Sequence, residues 1–155
     1  MAYIEVTIDS MRVSKMNYQW VVILREKGRD RYLPIWIGPA EGDAIDSKRR
    51  GESPPRPLTH DLACAAIDAL GGIIEAVVIH RLENDTFHAK MIINAKEGQK
   101  ELDCRPSDGM AMAVRKGVPI LADEEVLNQA GIILEQPSVP PETTTEDKAD
   151  DQPAT

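Results

Sequence analysis

Pro39-Ala40-Glu41-Gly42-Asp43-Ala44-Ile45 and Pro106-Ser107-Asp108-Gly109-Met110-Ala111-Met112 share one pattern: proline, any residue, an acid, glycine, any residue, alanine, a large aliphatic. The two stand 67 residues apart, from Pro39 to Pro106. Each reads as the start of a helix. Proline suits the first helical position because its missing N–H has no partner there. The acid in the first turn, Glu41 or Asp108, faces the positive end of the helix dipole. Glycine inside a helix costs about 1 kcal/mol against alanine, so Gly42 and Gly109 imply that something approaches both helices closely.

Outward from these helices, the flanking segments match as well. Ile4, Val6 and Ile8 alternate with polar residues, the period of a half-buried strand. Gln19 to Arg25 and Tyr32 to Ile37 follow as strands around the Lys27-Gly28-Arg29-Asp30 turn, and Pro34 marks an edge position or a bulge. Before Pro106, the strands are Ile73 to Leu82, Phe87 to Ala95 and Lys100 to Arg105. The Asn84-Asp85 loop is expected to pair Leu82 with Phe87 and His80 with Ala89. The repeat is therefore a duplicated β-β-β-α unit. It predicts an α+β domain with pseudo-two-fold symmetry, its helices packed between small, mainly antiparallel sheets, with Gly42 and Gly109 facing the same crowded place. A single sheet with helices on one side is the alternative.

A second helix follows the stiff Glu52-Ser53-Pro54-Pro55-Arg56-Pro57 loop, with Thr59 as its expected N-cap. Leu58, Leu62, Ala65, Ala66, Ala69 and Leu70 recur at helical spacing and form its expected buried stripe. Val118 to Leu121 reads as a short extended piece, and Asp123 caps a last short helix to Ala130. From Gln136 onward Pro, Thr, Glu and Asp dominate. The organisation expected is one domain over residues 1–135 and a disordered acidic tail over 136–155.

Composition limits the partners. Hydrophobic residues are 42 %, enough for a core, whereas aromatics are only 4 %. The net charge is −8, and half of it lies beyond Gln136. A general polyanion binder needs a positive surface, so a nucleic-acid partner requires a local basic patch or a bridging metal. Cys64 and Cys104 are too few for a disulfide framework and suit a reducing cytoplasm. No apolar run approaches the length that spans a membrane, and Met1-Ala2-Tyr3-Ile4-Glu5 lacks the pattern of a signal peptide.

The polar residues that could carry chemistry are grouped. His60-Asp61 opens the second helix beside Arg56, a pairing that suits a general base, a metal site or a helix-start acid with a loop-bonded histidine. Asp103-Cys104-Arg105-Pro106-Ser107-Asp108 crosses a strand-to-helix junction, where backbone N–H groups favour anions. Arg105 contacts phosphate there or closes an ion pair with Asp108 or Asp103. Lys48, Arg49, Arg50 and Arg56 form a compact basic cluster, either a phosphate-binding lip or a helix C-terminal charge effect. Glu41 and Asp108 occupy equivalent repeat positions, as helix-start acids or as paired carboxylates on a divalent metal.

Three blocks then appear in order: Leu33-Pro34-Ile35-Trp36-Ile37-Gly38, Arg56-Pro57-Leu58-Thr59-His60-Asp61-Leu62, and Asp103-Cys104-Arg105-Pro106-Ser107-Asp108. Together they resemble the bifunctional nuclease domain family, over roughly residues 3–131. The resemblance implies cleavage of phosphodiester bonds in RNA and DNA. Its motif residues fall on Glu41, Arg56, His60, Asp61, Asp103, Arg105, Ser107 and Asp108. This chain departs from the family in a more polar first helix (Asp43, Asp46, Ser47, Lys48) and in Gly109, where alanine is usual. The expectation is hydrolysis with His60, Asp61, Asp108 and Arg105 catalytic, Arg56, Lys48, Arg49 and Ser107 binding substrate, and Glu41, Asp61 and Asp108 holding Mg²⁺ or Mn²⁺. The rival is a non-enzymatic ligand-binding or protein-interaction module with a structural polar core. A homo-oligomer, most simply a dimer, suits either reading.

Overall fold

The computed structural model describes residues 2–133; the expected tail, 136–155, lies outside them. The elements run β1 (Tyr3–Val13), β2 (Trp20–Glu26), β3 (Arg31–Ile37), α1 (Pro39–Arg49), α2 (Thr59–Ala69), β4 (Ile73–Glu83), β5 (Thr86–Ala95), β6 (Gly98–Cys104), α3 (Pro106–Lys116), β7 (Ile120–Asp123), α4 (Glu124–Ala130) and β8 (Ile132–Ile133). This is the α+β class that the strand and helix periodicities indicate. None of these helices is long and apolar enough to cross a membrane.

The strands form one sheet, not two, in the order β6-β5-β4-β7-β1-β2-β3-β8. The reason is β7. It runs antiparallel to β1 and parallel to β4, and so zips the two three-stranded meanders together. Met91, Val77, Ile120 and Val6 lie in register across four strands and are all buried. Along β2 and β3 the paired Leu24 and Leu33, and Val22 and Ile35, continue the core. α4 touches both β3 and β4, which have three strands between them, so the sheet is coiled around its core.

Pro34 is tolerated because β8 pairs β3 only at Arg31 and Tyr32, leaving the rest of that edge open. Asn84 and Asp85 both take positive φ (49° and 59°), the geometry of a two-residue hairpin turn. Leu82 faces Phe87 as expected, but Ile79, not His80, faces Ala89. A β-bulge between Ile79 and Arg81 displaces His80 from the ladder.

The two repeat glycines answer to different neighbours. A Cβ on Gly42 would collide with the indole of Trp20. One on Gly109 would meet Val77 Cγ1 at 2.6 Å and Cys104 Sγ at 3.2 Å. Although α1 packs on α3, both glycines make room for strand side chains, not for each other.

The expected stripe of α2 is reversed. Leu58, Leu62, Ala65, Ala66, Ala69 and Leu70 are exposed, Leu70 at 90 %, whereas Cys64 is buried and Ala63 and Ile67 pack on the core. Two ion pairs to α3 set the rotation: Arg115 to Asp61 at 2.7 Å and Lys116 to Asp68 at 2.8 Å. Asp61, Cys64 and Asp68 lie at i, i+3 and i+7, on one side of the helix. That side faces α3, so the leucines face outward.

Candidate active site

The first turns of α1 and α3 and the start of α2 converge at one end of the core. Gly38 and Arg105 precede Pro39 and Pro106, which open α1 and α3, so Glu41 and Asp108 each sit in a first turn. Arg105 joins them. Its Nε donates to Asp108 Oδ2 at 2.9 Å and an η nitrogen to Glu41 Oε1 at 2.7 Å. His60, the second residue of α2, places Nε2 at 2.9 Å from Asp108 Oδ1. Both Asp108 oxygens are thereby occupied, one by an imidazole and one by a guanidinium.

Burial pushes the Asp108 carboxyl up, but the bonds from His60 and Arg105 outweigh it and hold the group below its ordinary value. Arg105 is held above its ordinary value by Asp108 first and Glu41 second. Asp108 is therefore a carboxylate at neutral pH. Through Oδ1 it fixes the Nε2 edge of the His60 imidazole.

These four side chains line a cavity of ≈ 570 Å³ together with Trp20, Asp43, Asp46, Arg50 and Glu52. Trp20 Nε1 donates to Asp43 Oδ1 at 3.0 Å. Arg50 is held by Asp46 at 3.0 Å and Glu52 at 3.3 Å. Arg50 is the one member of the expected basic cluster that lines this cavity, whereas Trp20 was not among the expected site residues. The signal for Trp20 was Gly42, whose missing Cβ makes room for the indole; nothing in the sequence named the partner.

Asp61 does not enter this cavity. Its Oδ2 accepts the backbone N–H of Leu58 at 2.9 Å, so Leu58, not Thr59, is the capped residue. Its Oδ1 accepts from Arg115 Nε. Arg115, whose side chain is only 6 % exposed, also donates to the carbonyls of Ala44 and Ala111. Asp61 and Arg115 thus staple α1, α2 and α3. The Leu58 bond first, opposed by burial and aided by Arg115, holds the Asp61 carboxyl low.

The remaining expected residues scatter. Lys48 and Arg56 line a second cavity of ≈ 410 Å³ with Asp61 and Arg115, and it shares Ser47, Glu52 and Leu58 with the first. Arg49 turns away and reaches the carbonyl of Ile8 at 3.4 Å. Asp103 is exposed on β6, and the ion pairs of Arg105 are to Asp108 and Glu41 instead. Ser107 is buried and lines a neighbouring cleft, not the His60 cavity. The divalent-ion set of Glu41, Asp61 and Asp108 is not assembled: Asp61 is engaged by Arg115, and Arg105 bridges the other two. Among the described residues no group of three His, Cys, Asp or Glu side chains is placed to hold a metal. The donors therefore do not fit a divalent ion in this arrangement.

Comparison with known proteins gives the family context. The bifunctional nuclease domain family matches residues 22–135. A protein of Mycobacterium tuberculosis described as uncharacterized is 44 % identical over 140 residues, 90 % of this chain and 84 % of its own length. Bifunctional nuclease 1 of Oryza sativa subsp. japonica and the bifunctional nuclease of Oryza minuta are each 27 % identical over 146 residues. That match takes in 86 % of this chain but 44 % of the plant proteins, so the chain spans less than half of their length.

Proposed function

The chain belongs to the bifunctional nuclease domain family, and from that premise we propose that the His60–Asp108–Arg105–Glu41 cavity hydrolyses phosphodiester bonds in nucleic acid. One observation carries the reading: an imidazole held at 2.9 Å by an ionised carboxylate, beside an exposed guanidinium, in an open cavity. Asp108 accepts the Nε2 proton of His60, the other ring nitrogen takes a proton from water as its oxygen bonds phosphorus, and the P–O bond to the departing sugar oxygen breaks, that oxygen taking the proton back from the imidazolium. Arg105 presents its free donor face to the phosphate as charge builds on the oxygens. Glu41 and Asp108 keep that guanidinium in place. No step is assigned to a metal, because the carboxylates are already bridged by Arg105.

The charge of the lining favours a second reading. Glu41, Asp43, Asp46, Glu52 and Asp108 face only Arg50 and Arg105, and a phosphate backbone is repelled by such an excess. The cluster is then an internal ion-pair network of a binding or interaction module.

Purified protein would be incubated with labelled single-stranded RNA and DNA, with and without chelator, beside His60→Gln and Asp108→Asn variants prepared identically. Cleavage lost in both variants supports the enzyme. Equal traces in all three mean a contaminant, and the binding-module reading stands.

A further inference from the structure

A second cleft, of ≈ 270 Å³, adjoins the His60 cavity and shares Arg105 with it. It lies along the end of β3, past the two residues that β8 pairs, and faces the β4–β5 turn. Trp36, Phe87, Asp85 and Ser107 line it with Arg105. The chain has six aromatic side chains in all, and two of them meet here. Trp36 is 62 % exposed, whereas its strand neighbours Ile35 and Ile37 are buried.

Leaving an indole this exposed forfeits the burial that a tryptophan offers a core. An exposed indole in a cleft that a guanidinium also lines instead offers a stacking platform, and Asp85 and Ser107 add an acceptor and a hydroxyl to the lining. Charge points the same way. A chain at −8, with carboxylates dominating the catalytic cavity, supplies little counter-charge to a phosphate backbone. Affinity for a nucleic acid then has to come from its bases, and a base stacks only when it is unpaired.

We propose that this cleft is a nucleobase subsite in which Trp36 stacks the unpaired base next to the phosphate held at Arg105, making single strands the substrate class. The inference rests on the phosphodiesterase reading of the adjoining cavity.

The test compares wild type, Trp36→Ala and Trp36→Tyr on two labelled DNA oligomers of equal length, one with normal bases and one fully abasic. Equilibrium binding is measured by anisotropy and cleavage by KM and kcat. Trp36→Ala should weaken binding of the normal oligomer and raise its KM by about tenfold or more, a loss typical of one stacked base. The abasic oligomer should bind all variants alike, and Trp36→Tyr should recover most of the loss. Equal weakening on both oligomers, or none on either, overturns the subsite. If the wild type cleaves neither oligomer nor labelled RNA, the nuclease reading fails, and the binding comparison alone still decides whether Trp36 stacks a base.

Discussion

His60 Nε2 lies 2.9 Å from Asp108 Oδ1, a bond between α2 and α3 made across 48 residues of sequence. Asp108 is ionised, so the pair has the polarity of a histidine base with its orienting carboxylate. Asp108→Asn keeps the shape and removes the charge. Cleavage of labelled RNA should fall by about 10²–10⁴-fold, the range that general acid–base catalysis supplies, with little change in the melting temperature. Loss of folding in place of loss of rate would make the pair structural.

Arg105 is 67 % exposed in its side chain yet bonded to both Glu41 and Asp108. An exposed ion pair contributes little stability, about 0–1 kcal/mol, so Arg105→Ala should barely change urea unfolding. The same change removes donors that lower the Asp108 carboxyl. Its pKa, followed by carboxyl NMR, should rise, and cleavage should fall. Arg105→Lys keeps a charge but not the planar fork, and should recover the pKa better than the rate.

Asp61 and Arg115 are assigned to stability instead. Asp61→Ala breaks the bond to a guanidinium that is 6 % exposed, and frees the Leu58 N–H. A loss of about 2–3 kcal/mol is expected, with the rate of the folded fraction retained. The folded pKa of Asp61 is depressed below the unfolded value of about 3.9. Its charged form therefore contributes stability above about pH 4, and the contribution disappears as pH falls through the folded pKa. Denaturant titrations should show Asp61→Asn starting lower at neutral pH and declining less than wild type in the acid window.

Much of this fold is readable from local chemistry. Pro39, Pro106 and Asp123 announce helix starts, and the Asn84-Asp85 turn sets the Leu82–Phe87 register. The single sheet was readable only as the alternative, because β7 is four residues long and joins both meanders through backbone bonds that carry no side-chain signal. The site was half readable. Glu41, His60, Arg105 and Asp108 stood out as polar residues at helix starts, and all four converge. His60 and Asp61 are adjacent in sequence, yet consecutive helix positions point about 100° apart, so one faces the cavity and the other Arg115.

The outer face of α2 gives the last expectation. Periodicity marked Leu62 and Leu70 as core, whereas in the fold they are 63 % and 90 % exposed. Exposed substitutions away from special features stay within about 0.5 kcal/mol, so Leu62→Ser and Leu70→Ser should each leave urea midpoints nearly unchanged. Ile67, packed on the core, should cost about 1–3 kcal/mol when cut to alanine. Serine at 62 or 70 costing as much as Ile67→Ala would mean that the ion pairs from Arg115 and Lys116 do not set the rotation of α2. A serine cost that grows with protein concentration would instead mean that another copy of the chain covers this face, since only association makes stability concentration-dependent.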